Sequence, residues 1–119
     1  MPESNIIITI PKSVKWEDYQ KEIDTVADRS YVMNFKVNGF PKVNIGARCY
    51  LIHNGFIKGW MEIVGFSEKD FVCYTTLNEW KGKFIERSGK FHELKNPIPM
   101  KGFQGFRYIT NELAKLLNQ

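Results

Sequence analysis

With 119 residues, 43% hydrophobic and 25% charged, the chain can bury one sizeable core and lacks the composition of a disordered, collagenous or membrane-spanning protein. The net charge of +4 and pI near 9.1 permit an anionic partner such as nucleic acid, and set against it the plainer reading of a solvated lysine face. Two isolated cysteines, Cys49 and Cys73, exclude the cysteine framework of small secreted domains. They read as buried free thiols of a reduced cytoplasmic protein, a bridge between neighbouring strands being the alternative. There is no basic-then-apolar leader and no apolar run of about 18 residues, so the expectation is neither secretion nor a membrane span.

Asn5-Ile6-Ile7-Ile8-Thr9-Ile10, closed by Pro11, reads as a first strand. Ser13 offers an N-cap, after which Val14, Trp16, Tyr19, Ile23, Val26 and Ala27 recur at helical spacing with acids between them. The spacing predicts an amphipathic helix over 14–28, its apolar stripe laid on a sheet and its early acids favoured by the helix dipole. Residues 30–37 form a second strand, and Asn38-Gly39-Phe40-Pro41 a turn cluster.

Asn54-Gly55 lies between two apolar, β-branched and aromatic runs and is the strongest hairpin signal in the chain, because both central residues of a type I′ turn need positive φ. A two-residue loop pairs His53 with Phe56, Leu51 with Lys58 and Cys49 with Trp60. Tyr50, Ile52, Ile57, Met61 and Ile63 then share the expected core face, opposite Cys49, Leu51 and Trp60. Gly59 inside the returning strand signals a bulge, a bend or a close backbone approach.

Phe71–Thr76 reads as the next strand, and 78–86 as either a turn and strand or a short helical turn. Arg87-Ser88-Gly89-Lys90 is a turn signal, and Pro97 and Pro99 break regular structure. The glycine-rich segment 102–109 ends as a strand, and Thr110 caps a short helix, 111–118, with Leu113, Leu116 and Leu117 as its apolar edge. With an aromatic fraction of 14% leaning towards strands, the elements predict one α+β domain over 1–119. It is a small antiparallel, partly closed β-barrel of about six strands with an N-terminal amphipathic helix and a short C-terminal helix.

The run Ile45-Gly46, then Cys49-Tyr50, His53-Asn54-Gly55, Ile57 and Gly59, resembles the PUA-like barrels, the superfamily that includes the PUA, ASCH, EVE and YTH domains. The resemblance spans roughly residues 31–109 and implies a barrel that binds RNA or a modified nucleobase in a cleft. Some ASCH relatives are small hydrolases. The segment before Gly46 departs from their Gly-x-Lys-x-x-Glu-x-Arg pattern, reading Asn34-Phe35-Lys36-Val37-Asn38-Gly39-Phe40-Pro41-Lys42.

Charge is uneven along the chain. Residues 1–30 hold six acids and four bases, whereas in 80–107 Lys81, Lys83, Arg87, Lys90, Lys95, Lys101 and Arg107 face only Glu86 and Glu93. Cations interleaved with Trp80, Phe84, Phe103 and Phe106 match single-stranded nucleic acid, where cations meet phosphates and rings stack on bases. The alternative puts those rings in the core and those lysines in water. Asn34, Phe35 and Lys36 form a second candidate, an amide reading a base edge beside a stacking ring. Trp60 either lies beneath the 14–28 helix or lines a cleft.

His53, His92, Cys49 and Cys73 lack metal-ligand spacing. A catalytic set of Lys12, Thr9 and Glu62 is the only hydrolase-like combination, beside a Cys–His pairing that rests on no motif. The sequence therefore predicts a non-enzymatic binder of nucleic acid, RNA in preference to DNA, holding a modified or single-stranded base. The candidate residues are Asn34, Phe35, Lys36, Trp60, Trp80, Lys81, Lys83, Arg87, Lys101, Phe103 and Arg107. No cofactor, metal or membrane enters this reading, and the chain is expected to be a monomer or weak homodimer. The alternatives are an ASCH-type hydrolase of a nucleoside-like ligand and an interaction module of phage or mobile-element origin.

Overall fold

The computed structural model describes residues 5–28, 32–72 and 77–117. Six strands form one curled, half-barrel sheet, accompanied by two helices. The strands are β1 (Ile6–Thr9), β2 (Met33–Val37), β3 (Arg48–His53), β4 (Phe56–Val72), β5 (Glu79–Pro99) and β6 (Phe106–Tyr108); the helices are α1 (Trp16–Asp28) and α2 (Asn111–Leu117). Their order across the sheet is β2-β5-β4-β3-β1-β6. The expected all-antiparallel arrangement is corrected at one place, since β1 inserts between β3 and β6 and runs parallel to β3. Helix α1 between β1 and β2 and the long excursion to β6 free β1 from pairing with its chain neighbour. Among the described residues no helix is long and apolar enough to cross a membrane.

The β3–β4 turn has positive φ at Asn54 (53°) and Gly55 (85°), and His53 faces Phe56, as the sequence predicts. One residue later the register changes. Leu51 lies opposite Gly59, Tyr50 opposite Trp60 and Cys49 opposite Met61, so Lys58 is the extra residue of a bulge. Because side chains alternate with a period of two, that one residue exchanges the faces beyond it. Trp60 joins Tyr50, Ile52 and Ile57, while Met61 and Ile63 join Cys49 and Leu51. Beside the bulge, Gly59 lets β5 approach closely: a Cβ there would run into the His92 backbone carbonyl and the Phe91 ring.

Strand β5 corrects two further expectations. Arg87-Ser88-Gly89-Lys90 is not a turn, because β5 continues through it. Between the pairs Met61–Phe91 and Ile63–Arg87, β5 carries more residues than β4, and Ser88-Gly89 occupy that irregularity. A second one, between Ile57–Ile98 and Gly59–Glu93, accommodates Pro97. β2 pairs with β5 only over 83–87, so near the prolines no described strand lies on that side of β5 and their missing N–H forfeits no ladder bond to one there. At its other end the β4–β5 ladder runs to Val72–Glu79, past the last β2 pair at Val37–Lys83. A two-stranded ribbon therefore projects from the sheet. The strand expected at 71–76 contributes residues 71–72 to β4, while Cys73 and residues 74–76 lie outside the described residues, as do Ser30 and Tyr31 of the second expected strand.

Both faces of the central strands are covered. On one, Ile6, Ile8, Cys49, Leu51, Met61, Ile63 and Ile85 pack with Tyr19 and Ile23 of α1. On the other, Ile7, Tyr50, Ile52, Ile57 and Leu94 pack with Leu117 of α2. That explains why β3 reads as an unbroken apolar run. α1 begins later than expected, its first bond running from the Tyr19 N–H to the Lys15 carbonyl, so Ser13 is not its cap. Thr110 does cap α2, accepting the Leu113 N–H at 3.2 Å.

Burial pushes the Cys49 thiol up to about 11, the Arg87 charge pulling weakly the other way. The folded chain thus holds this proton more tightly than the unfolded one, whose thiol titrates near 9.0. The resulting stabilisation is complete below that pH and is lost as pH rises towards about 11. Tyr19, also raised by burial against the pull of Arg87, adds to the loss in the same direction. Urea midpoints are expected to fall across this window, and less steeply in Cys49→Ala; identical pH slopes would refute the assignment.

Candidate nucleic-acid interface

The residues expected to bind nucleic acid divide among three places. At one edge of the sheet, Phe35 packs against the α1-side core, with the Arg87 guanidinium 5.9 Å from its ring. It is half-buried there. Arg87 itself is 2% exposed and donates to the Tyr19 hydroxyl at 3.0 Å, so it cannot neutralise a phosphate. Asn34 lies opposite Glu86, its Oδ1 buried without a hydrogen-bond partner, and Lys36 is exposed opposite Phe84. The Arg87 assignment is corrected on burial.

Trp80 and Lys81 lie on the projecting ribbon, and Lys83 at its base, where β2 ends. Trp80 is half-buried, edge-on to Phe84 at 6.2 Å. Lys81 pairs across the ladder with Asp70, and Lys83 with Glu68, while the Lys83 ammonium also rests 5.7 Å from the Phe40 ring. Lys69 bridges Glu86 at 2.6 Å. Along 68–83 three acids match three bases. The one-sided charge of 80–107 is therefore cancelled here by β4, which a linear count cannot register.

Lys101, Phe103 and Arg107 lie at the opposite edge. Lys101 is exposed. Phe103 packs on the α2-side core, its N–H donating to the Thr9 hydroxyl at 3.1 Å, and the Arg107 guanidinium sits 4.3 Å from its ring. The candidate residues of β2 thus adjoin the β5 part of the 80–107 segment, Phe35 lying opposite Ile85, while Lys101, Phe103 and Arg107 lie at the far edge of the sheet.

What the fold does bring together is a row across five strands. Arg107, Ile7, Tyr50, Trp60 and His92 are successive cross-strand partners. Strands about 4.8 Å apart put Arg107 and Trp60 on the order of 14 Å from each other on one face. Trp60 is half-buried here, on the face opposite α1, so it is not covered by that helix. The ring that α1 carries onto the sheet is Trp16, stacked on Tyr19 and on His53, whose Nε2 meets the Val14 carbonyl at 2.7 Å.

His92 stacks on Trp60 at 3.9 Å and 9°, and the Arg48 guanidinium lies 4.2 Å from the same ring. Arg48 also donates to the Tyr50 hydroxyl at 3.2 Å. Although Glu62 is its cross-strand partner, no carboxylate of the described residues lies within 4.0 Å of the guanidinium. Partial burial, then Lys90 and Arg48, hold the His92 pKa below its ordinary value, with Glu62 pulling the other way. Arg48, Tyr50 and His92 were not among the expected residues. Only the bulge at Lys58 puts Trp60 on their face, and no sequence pattern fixes a bulge to one residue.

Among the described residues the catalytic alternatives do not assemble, Cys73 lying outside them. Thr9 pairs with Ile52 and Glu62 with Arg48, and these β3 residues are about 13 Å apart along the strand. Cys49 is buried with its thiol raised, the reverse of an activated nucleophile. Among the described residues no group of three or more His, Cys, Asp and Glu is placed to hold a metal. Comparison with protein-family models, with curated proteins and with solved structures returns no match for this chain.

Proposed function

We propose that the chain is a PUA-like, non-enzymatic module that binds single-stranded nucleic acid, RNA in preference to DNA, on the face carrying α2. The observation that carries the reading is the Arg48–Trp60–His92 cluster, a half-buried indole beside a guanidinium that no carboxylate of the described residues neutralises. A second cation–ring pair, Arg107 on Phe103, stands on the same face. Rings for stacking and cations for phosphates are the two ingredients of single-strand recognition. The preference for RNA comes from the PUA-like resemblance.

Anisotropy with short labelled strands at low salt tests this. RNA is expected to bind, with affinity falling steeply as salt rises. The Trp60 ring carries His92 on one face and the Arg48 guanidinium on the other, so a base stacks on the outer side of that sandwich, and Trp60→Ala, which removes its support, is expected to weaken binding by roughly 1–3 kcal/mol, or about five- to a hundredfold. The pair Lys81→Gln and Lys83→Gln is expected to leave binding nearly unchanged, since both lysines face acids on β4. Absence of binding by any strand at low salt removes the proposal, and a larger effect from the ribbon lysines than from Trp60 relocates the interface.

A further inference from the structure

Beside Arg48 an open groove of about 590 Å³ runs between α2 and the ends of β1 and β3. Among the described residues its charged lining side chains are Arg48 and Lys115, both cations, with no Asp or Glu beside them. The polar groups between them are arranged as donors. The Asn5 Oδ1 accepts the Arg48 backbone N–H at 2.8 Å, which leaves the Asn5 amide NH₂ to donate. The Tyr50 hydroxyl accepts from Arg48 at 3.2 Å, so its own proton is available. That same contact, with the Trp60 ring, orients the guanidinium while engaging only one of its donors.

Resting on the nucleic-acid reading, we infer that this groove holds a terminal phosphomonoester, the phosphorylated end of a strand. A phosphomonoester carries about −1.5 to −2 charges at neutral pH and three terminal oxygens. Two cations and two neutral donors without an opposing carboxylate suit that dianion better than a singly charged backbone diester. Arg48 contributes the planar fork that matches two phosphate oxygens, and Lys115 a point charge from the helix side. The adjoining Arg48–Trp60–His92 stack is then the first planar surface a terminal base meets.

The experiment compares RNA of one sequence ending in a 5′-phosphate, a 3′-phosphate or hydroxyls only, together with the free nucleoside monophosphate as competitor. One phosphorylated form is expected to bind about tenfold tighter than the hydroxyl-ended strand, the scale of one charge-assisted contact. In Arg48→Gln and Lys115→Gln that advantage is expected to shrink towards unity while residual binding through Trp60 persists. Equal binding of phosphorylated and hydroxyl-ended strands overturns the inference and leaves the nucleic-acid reading standing. Binding of the monophosphate but of no strand keeps the phosphomonoester site and removes the polymer reading. If neither strand nor monophosphate binds, both are overturned.

Discussion

Arg87→Ala is expected to lower stability by about 3–5 kcal/mol, whereas Arg87→Met stays within about 1.5 kcal/mol of the native chain. Arg87 is among the largest fully buried side chains, and its guanidinium meets the Tyr19 hydroxyl at 3.0 Å and the Met61 sulfur at 3.7 Å. Burial works against its charge, but Tyr19, Cys49 and Glu22 outweigh that and hold its pKa above the ordinary value. It therefore stays protonated inside the core. Truncation to Ala opens a cavity where α1 meets β4 and β5, and it strips the buried Tyr19 hydroxyl of its donor. Those losses are roughly 2–5 and 1–3 kcal/mol. Removing a buried charge, with its unpartnered Nε, offsets part of them.

Methionine keeps most of the volume and carries no charge, so only the Tyr19 penalty remains; adding Tyr19→Phe removes that too. Urea denaturation of Arg87→Ala, Arg87→Met and Arg87→Met with Tyr19→Phe separates these contributions. The double variant is expected to be as stable as the native chain or more so. If Arg87→Met loses as much as Arg87→Ala, the charge and not the volume stabilises this region. The same burial explains why a residue counted from sequence as a phosphate ligand is not one.

The elements that follow from local chemistry were legible in the sequence. Asn54-Gly55 demands its turn, Thr110 its cap, and the Tyr19/Ile23 spacing its helix on the sheet. What could not be read arises where one strand corrects another. Ser88-Gly89 and Pro97 carry turn chemistry, yet they sit in irregularities of a 21-residue strand that β4 holds in place. Lys81 and Lys83 belong to a basic segment of the sequence and to a neutral ribbon in space. The parallel placement of β1 beside β3 depends on distant pairing that periodicity does not encode. Of the expected binding residues, Trp60, Phe103 and Arg107 share a face, while Arg48 and His92 join them only through register.

That register can be attacked at Gly59, and Gly59→Ala is expected to cost about 3 kcal/mol, at the upper end of overpacking effects. The obstacle to a new Cβ is the His92 backbone carbonyl, followed by the Phe91 ring. A ring can turn aside, but a carbonyl between paired strands can move only if the β4–β5 ladder opens. The damage reaches the candidate interface directly, because His92 and Trp60 are the next cross-strand pair and their stack depends on that close approach. Near-ultraviolet circular dichroism and tryptophan emission are therefore expected to change even in the fraction that stays folded. Gly55→Ala provides the control. It sits at φ 85° with open space around its missing Cβ, so it suffers only the backbone penalty, about 1 kcal/mol. A Gly59→Ala chain no less stable than Gly55→Ala, with its tryptophan signal unchanged, would show that the strands tolerate a side chain there. A chain that loses several times more than the control, and loses oligonucleotide binding more than Lys81→Gln does, ties the close backbone approach at Gly59 to the placement of Trp60.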